Sequence, residues 1–247
     1  MNQPTTTKGT LYLIPNTLGK TPENNTIPEY VLRIIRELDL LIVENIQTAV
    51  RYLQWVGDTI PEYKIDFRLL NKKTPPQEAA SFLTPIKRGK NAGVISEAGC
   101  PAVADPGANL VKMAHAQQIK VMPLVGPSSI LLALMGSGFN GQSFAFHGYL
   151  PINKQKRQQR IQKLEQRSRK EGSTQLFMEA PHRNKAIVKD VLRYCNPQSR
   201  FCTATNLTLP DEQIISRPLS QWDSKLAQGL HKKPTIFLLS ASNHKIS

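Results

Sequence analysis

Residues Ile95 to Gly107 read ISEAGCPAVADPG, a polar, turn-rich segment entered from the short apolar run Ala92 to Ser96. An apolar run of that length bounded by Gly and Pro reads as a buried strand that ends in a loop. A helix near Asn109 to Gln117 follows, and Lys120 to Leu124 supplies a second strand before PLVGPSS at Pro123 to Ser129. Strand, loop, helix and strand in this order make a β-α-β unit, which predicts a parallel sheet with helices on its faces.

The pattern extends in both directions. Toward the start, TLYLIP at Thr10 to Pro15 reads as a buried strand, followed by polar, turn-rich residues Asn16 to Thr26. Pro28 suits the first turn of a helix whose Val31, Leu32, Ile34, Ile35 and Leu38 form one apolar stripe. Strand Leu40 to Val43, helix Ile46 to Val56, strand Lys64 to Leu70 and a helix over Gln77 to Lys87 complete that half. Toward the end come helix Ser129 to Met135, strand Phe144 to Gly148, basic helix Lys154 to Lys170 and strand Thr174 to Met178. Helix Arg183 to Tyr194, strand Phe201 to Ala204, a helix near Gln221 to Gln228 and strand Thr235 to Leu239 finish the chain. The alternation predicts an α/β protein with a largely parallel sheet covered on both faces. Composition alone places a boundary near Leu150 to Lys154, where an apolar strand gives way to a basic helix.

With 247 residues, 40% of them hydrophobic and 20% charged, the chain fits a folded protein of two compact domains or one large α/β unit. Three cysteines, Cys100, Cys195 and Cys202, form no C-x-x-C pair and are poor material for a disulfide framework, so a reducing, cytoplasmic setting is expected. The polar start and the short apolar run Ile130 to Met135 give no export signal and no membrane span. Thirty-two Lys and Arg against eighteen Asp and Glu leave a formal charge of +14, which favours polyanionic partners, nucleic acid first.

Three strand-to-helix connections, Pro15 to Gly19, Ser96 to Gly107 and Val125 to Ser129, are rich in Gly, Pro, Ser and Asn. In parallel α/β sheets ligands gather at the carboxyl ends of strands, and such loops suit a cofactor. None has the G-x-G-x-x-G or G-x-x-x-x-G-K-[ST] pattern, and no His, Cys and carboxylate spacing forms a metal site. No G-x-S-x-G elbow supports a hydrolase.

ISEAGCPAVADPG, PLVGPSS, SGFNGQSFAFHGYLP at Ser137 to Pro151 and MEAPHR at Met178 to Arg183 occur in this order, with GTLYLIPNTLG as a weaker opening. In these segments the chain resembles the small-subunit ribosomal RNA cytidine 2′-O-methyltransferases of the tetrapyrrole methylase superfamily, as a divergent paralogue. Where that family usually reads S-D-A-G-T-P the chain has Ser96 to Pro101 with Glu97 and Cys100, and its acidic A-E-D-T-R appears as Val43, Glu44, Asn45, Ile46 and Gln47. The resemblance implies two α/β domains, residues 1–124 and 125–247, with S-adenosylmethionine in the cleft between them. It implies a homodimer acting on ribosomal RNA or the small ribosomal subunit. It further implies cofactor contacts from Ser96, Glu97, Ala98 and Gly99, from Val125, Gly126, Pro127, Ser128 and Ser129, and from Met178. A small-molecule methylase and a non-catalytic RNA-binding protein remain the alternatives.

Gly99 and Gly126 are expected in the cofactor cleft because a Cβ there would obstruct close backbone approach or demand disfavoured dihedrals. Asp105, before Pro106 and Gly107, reads as turn chemistry, and Ser128 and Ser129 as helix caps. His115 and His147 read as structural, while Glu179, His182 and Arg183 stand at a strand-to-helix connection that suits either packing or ligand contact. Lys156, Arg160, Lys163, Arg167 and Lys170, spaced by four, three, four and three, share one helical face. With Ile161 and Leu164 docking the helix, that face and Arg183 are candidates for the RNA backbone. No catalytic base is assigned.

Overall fold

The computed structural model describes residues 7–20, 26–57 and 61–241, except for the side chains of 224, 225 and 227. The polar start and the turn-rich stretch read over 16–26 therefore lie partly outside the described residues. The chain divides into two compact units, residues 1–128 and 129–247.

In the first unit β1 (Thr10–Ile14), α1 (Glu29–Arg36), β2 (Leu40–Val43), α2 (Ile46–Val56), β3 (Asp66–Leu69), α3 (Pro76–Ser81), α4 (Thr84–Lys87), β4 (Ala92–Ile95), α5 (Gly107–Ala116) and β5 (Lys120–Pro123) alternate. The five strands form one parallel sheet in the order β3-β2-β4-β1-β5. Successive side chains of β2 face opposite ways, as the pleat requires. Leu40 and Ile42 pack with Phe82, Leu83, Ile86 and Leu110, while Leu41 and Val43 pack with Val31, Ile35 and Leu53. Burial on both faces is why the central strands β2 and β4 are apolar throughout, whereas β3 carries Asp66 and Arg68 and β5 opens with the exposed Lys120. Gly93 in β4 sits where a Cβ would lie 2.4 Å from Ile14 Cδ1 and 2.9 Å from Leu41 Cδ2, so the layer closes only over a glycine.

The single helix expected over Gln77 to Lys87 is two short ones, because Pro85 has no N–H to return to the Ser81 carbonyl. The segment beyond Leu124, expected to open the second domain, clusters with the first. Its Val125 N–H donates to the Tyr30 hydroxyl at 3.3 Å, and Gly126 lies against the Pro15 ring.

The second unit contains α6 (Ser129–Ser137), β6 (Phe144–Tyr149), α7 (Lys154–Glu171), β7 (Thr174–Met178), α8 (Asn184–Tyr194), β8 (Arg200–Thr205), β9 (Gln213–Pro218), α9 (Ser224–Gly229) and β10 (Thr235–Ser240). Its sheet, β6-β7-β10-β8-β9, is mixed: β6 and β7 are parallel and every other neighbour is antiparallel. The largely parallel expectation thus holds for the first sheet alone. Strand β9, absent from the sequence reading, is a short segment ending in Pro218, and it pairs with β8 through a turn in which Asn206 and Thr208 have φ of 50° and 70°. Phe177, Phe201 and Phe237 stack at the centre of this unit's core.

Helix α7 is anchored by more than Ile161 and Leu164. Arg157, Glu165 and Ser168 are buried beside them. The Arg157 guanidinium donates to Asp190 Oδ2 in α8 at 2.7 Å and to the Ile152 carbonyl at 2.9 Å. Glu165 Oε1 accepts from the Asn196 N–H at 2.7 Å and the Ser199 hydroxyl at 2.6 Å. Charges inside a sheet-helix layer are tolerated only when paired in this way.

His147, in β6, is likewise held from both sides. Its Nδ1 accepts from Arg160 at 3.0 Å, which leaves Nε2–H to donate to Gln175 Oε1 at 2.7 Å. Burial pushes its pKa down, with the positive charges of Arg160 and Arg167 acting the same way and the Gln175 bond opposing.

Two consequences can be measured. Asp190→Ala leaves a buried guanidinium unpaired and should cost about 3–5 kcal/mol in denaturant unfolding, while the double replacement Arg157→Met with Asp190→Leu should recover most of it. His147 binds its proton less readily in the fold than at its ordinary value of 6.5, so the unfolded chain takes up more protons as pH falls through that value and the fold loses stability. His147→Gln should remove that part of the stability loss between about pH 6.5 and 5, read by urea unfolding at both ends of the interval.

Candidate functional site

The loops leaving β1 and β4 are joined at the carboxyl end of the first sheet, where parallel α/β folds bind ligands. Asn16 and Gly99 exchange backbone hydrogen bonds, Asn16 N–H to Gly99 carbonyl at 2.9 Å and Gly99 N–H to Asn16 carbonyl at 3.1 Å. The buried Asn16 carboxamide also donates to the Ser96 carbonyl at 3.0 Å and the Glu97 carbonyl at 3.2 Å. Gly99 reaches its place with φ of 69°, a conformation that an L side chain adopts only with strain. The Cys100 thiol, its pKa pushed up by burial, donates to the Pro127 carbonyl at 3.5 Å and so links the loop to Val125–Ser128.

On the α2 side of these loops is a cavity of about 600 Å³, lined by Asn16 to Lys20, Thr48, Arg51, Tyr52, Trp55, Glu97 and Ala98. Tyr52 is buried and its hydroxyl donates to the Pro15 carbonyl at 2.7 Å; burial raises its pKa, so it stays a neutral donor. Trp55 stacks on Tyr52 with centroids 5.9 Å apart. Arg51, Tyr52 and Trp55 were not singled out by the sequence reading, since helical periodicity assigns Tyr52 to the core and marks nothing special about its neighbours.

Three carboxylates stand nearby. Glu44 follows β2 and binds its proton more tightly than usual, chiefly through burial and then through the negative charges of Asp105 and Glu97, with the hydrogen bond from the Glu97 backbone N–H and the charge of Lys72 opposing. Asp105 Oδ1 accepts from the N–H groups of Ala102 at 2.9 Å and Gly107 at 2.7 Å, which is the turn role expected of it. Burial raises its pKa against those two bonds. Glu97 projects into solvent at the cavity wall. A carboxylate with raised proton affinity is chemically suited to accept a proton from a hydroxyl.

Of the expected cofactor residues, Glu97 and Ala98 line this cavity, while Ser96 and Gly99 lie buried behind them. Val125 is exposed and Pro127 is buried. Gly126 has a packing reason not foreseen from sequence: its Cβ would meet Pro15 Cβ at 2.2 Å and Cγ at 2.3 Å. Ser128 ends the first unit, Ser129 opens α6, and Met178 ends β7. On α7, Lys156, Lys163, Arg167 and Lys170 are exposed, whereas Arg160 is partly covered and bonded to His147. Arg167 pairs with Glu171 at 2.8 Å across one exposed turn. The Arg183 guanidinium lies 3.0 Å from the buried Glu179 carboxylate and is 18% exposed.

The comparison with known proteins agrees with this architecture. Residues 23–223 match the family model of the tetrapyrrole (corrin/porphyrin) methylases. A protein of Pseudomonas aeruginosa named ribosomal RNA small subunit methyltransferase I is 29% identical over 213 residues, covering 86% of this chain and 71% of that one. Among solved structures, the methyltransferase CobJ superposes with a TM-score of 0.61 at 16% identity, covering 94% of this chain and 93% of that one. Uroporphyrin-III C-methyl transferase from Thermus thermophilus, solved with S-adenyl homocysteine, gives a TM-score of 0.56 at 16% identity, covering 94% and 97%. These two share the fold, and the family match spans most of the sequence: the chain is a methyltransferase and belongs to the tetrapyrrole (corrin/porphyrin) methylase family.

Proposed function

We propose that this chain transfers a methyl group from S-adenosylmethionine to a ribose 2′-oxygen of small-subunit ribosomal RNA. The observation that carries the reading is the pair of joined loops at the end of the parallel sheet, Pro15–Gly19 and Ser96–Gly99, set against an open cavity in a methylase fold. RNA is preferred over a small ring substrate because the relatives named for ribosomal RNA are similar over most of their length. The exposed cations of α7 favour the same choice.

The cofactor supplies an electrophilic methyl on a sulfonium; what the protein must add is position and a proton acceptor. The residues fit it: exposed Glu97 offers a carboxylate to a cationic ligand, and exposed Val125 offers an apolar surface. Gly99 lets the backbone turn tightly between the two loops. We assign Ser96 to Gly99 and Val125 to Ser129 to the cofactor on this basis, and Met178 on the family resemblance alone.

The RNA backbone is assigned to Lys156, Arg160, Lys163, Arg167 and Lys170, and on the same expectation to Arg183, whose guanidinium is also paired with Glu179. We place the reaction in the cytoplasm; among the described residues no helix is long and apolar enough to cross a membrane. A homodimer is the proposed working state, supported by the exposed apolar side chains of Leu131, Met135, Tyr149 and Ile152 in the second unit.

The direct test is calorimetry with S-adenosylmethionine followed by transfer of its labelled methyl to purified small ribosomal subunits. Binding and labelling of the RNA are expected; absence of both would remove the reading. Gly99→Ala imposes strain of about 1–2 kcal/mol with little steric conflict, and should weaken S-adenosylmethionine roughly tenfold. Unchanged affinity would show that this loop does not hold the cofactor. The triple variant Lys156→Gln, Lys163→Gln and Lys170→Gln should bind RNA more weakly, with the slope of log K against log salt shallower by about 2–3 and cofactor affinity unchanged.

A further inference from the structure

We propose that the cavity beside Glu97 and Ala98 receives one unstacked nucleotide of single-stranded RNA, its base against the Trp55–Tyr52 wall and its phosphates at Lys20 and Arg51. The inference rests on the RNA methyltransferase reading and names the chain's own residues for the acceptor.

The wall is built for a flat apolar group. Trp55 and Tyr52 are stacked with an interplanar angle of 21°, and Tyr52 cannot swing away because its hydroxyl is tied to the Pro15 carbonyl at 2.7 Å. Leu18 and Ala98 extend the apolar surface. A platform fixed before binding loses little entropy when a base lies on it. Single-stranded RNA is read through bases splayed onto aromatic side chains and guanidinium planes.

The charged groups choose among flat ligands. Lys20 and Arg51 line the cavity with Glu97, the one carboxylate among its described lining residues, and their two positive charges suit a phosphate. Arg51 is steadied along α2 by bonds to the Gln47 carbonyl at 3.2 Å and the Thr48 hydroxyl at 3.4 Å. The cavity, about 600 Å³, lies in the range that encloses a small ligand.

The test uses the full chain, labelled S-adenosylmethionine and purified small ribosomal subunits. Trp55→Leu should lower kcat/KM for the subunit roughly 5- to 100-fold, as removal of a stacking aromatic does. Trp55→Phe keeps a ring and should recover most of the loss, and the Kd for S-adenosylmethionine should stay within about twofold of the parent in both. Arg51→Gln, at an exposed position, should lower kcat/KM and reduce the salt slope by about 1, and it decides the matter if Trp55→Leu does not fold. If the parent labels the RNA and both Trp55→Leu and Arg51→Gln label it equally well, the nucleotide site is wrong while the methyltransferase reading stands. Loss of S-adenosylmethionine binding in a Trp55→Leu protein that melts like the parent would give the cavity to the cofactor instead. A parent that binds S-adenosylmethionine but labels no small-subunit RNA overturns the acceptor assignment together with the reading beneath it.

Discussion

Asn16 is buried where the first strand leaves the sheet, and a buried carboxamide without partners costs about 1–3 kcal/mol for each group left unpaired. It finds them on the other loop, in the carbonyls of Ser96 and Glu97, while its backbone pairs with Gly99. The pairing works because Gly99 takes a positive φ and brings its N–H and carbonyl round to face Asn16. From that one constraint the position of Glu97 and Ala98 follows, and with it the shape of the cavity wall opposite Trp55. Gly126, pressed against Pro15, and Cys100, bonded to Pro127, fix the third loop to the same point.

The second unit solves a different problem. A helix with this many cations must dock on a sheet while keeping its charge outward. It does so by turning Ile161, Leu164 and Ser168 inward and by neutralising the one inward cation, Arg157, against Asp190. The remaining basic side chains lie on faces where solvation is retained and phosphate attraction is available. His147, accepting from Arg160, ties part of that outer row to the edge strand and gives it a pH dependence that the fully exposed lysines lack.

Much of this was legible in the sequence, for reasons that can be named. Short apolar runs marked β2 and β7 at their observed limits, and helix α2 was read over its observed Ile46–Val56. The turn role of Asp105 followed from its place before Pro106 and Gly107. What escaped was whatever depends on residues distant in sequence. Strand β9 carries little alternation of its own and is defined by its partner β8. Arg157 looks like a member of a basic surface until Asp190 is seen beside it. The aromatic wall of the cavity is invisible for the same reason, because Tyr52 and Trp55 become a site only when the loops at Asn16 and Glu97 close over them.

The central claim, that this methylase acts on small-subunit ribosomal RNA, is tested most directly by mass spectrometry of that RNA from cells with and without the gene. One nucleotide should carry a ribose methyl when the gene is present, lack it when the gene is deleted, and regain it when the gene is restored. Identical nucleotide spectra from the two cell lines would contradict it.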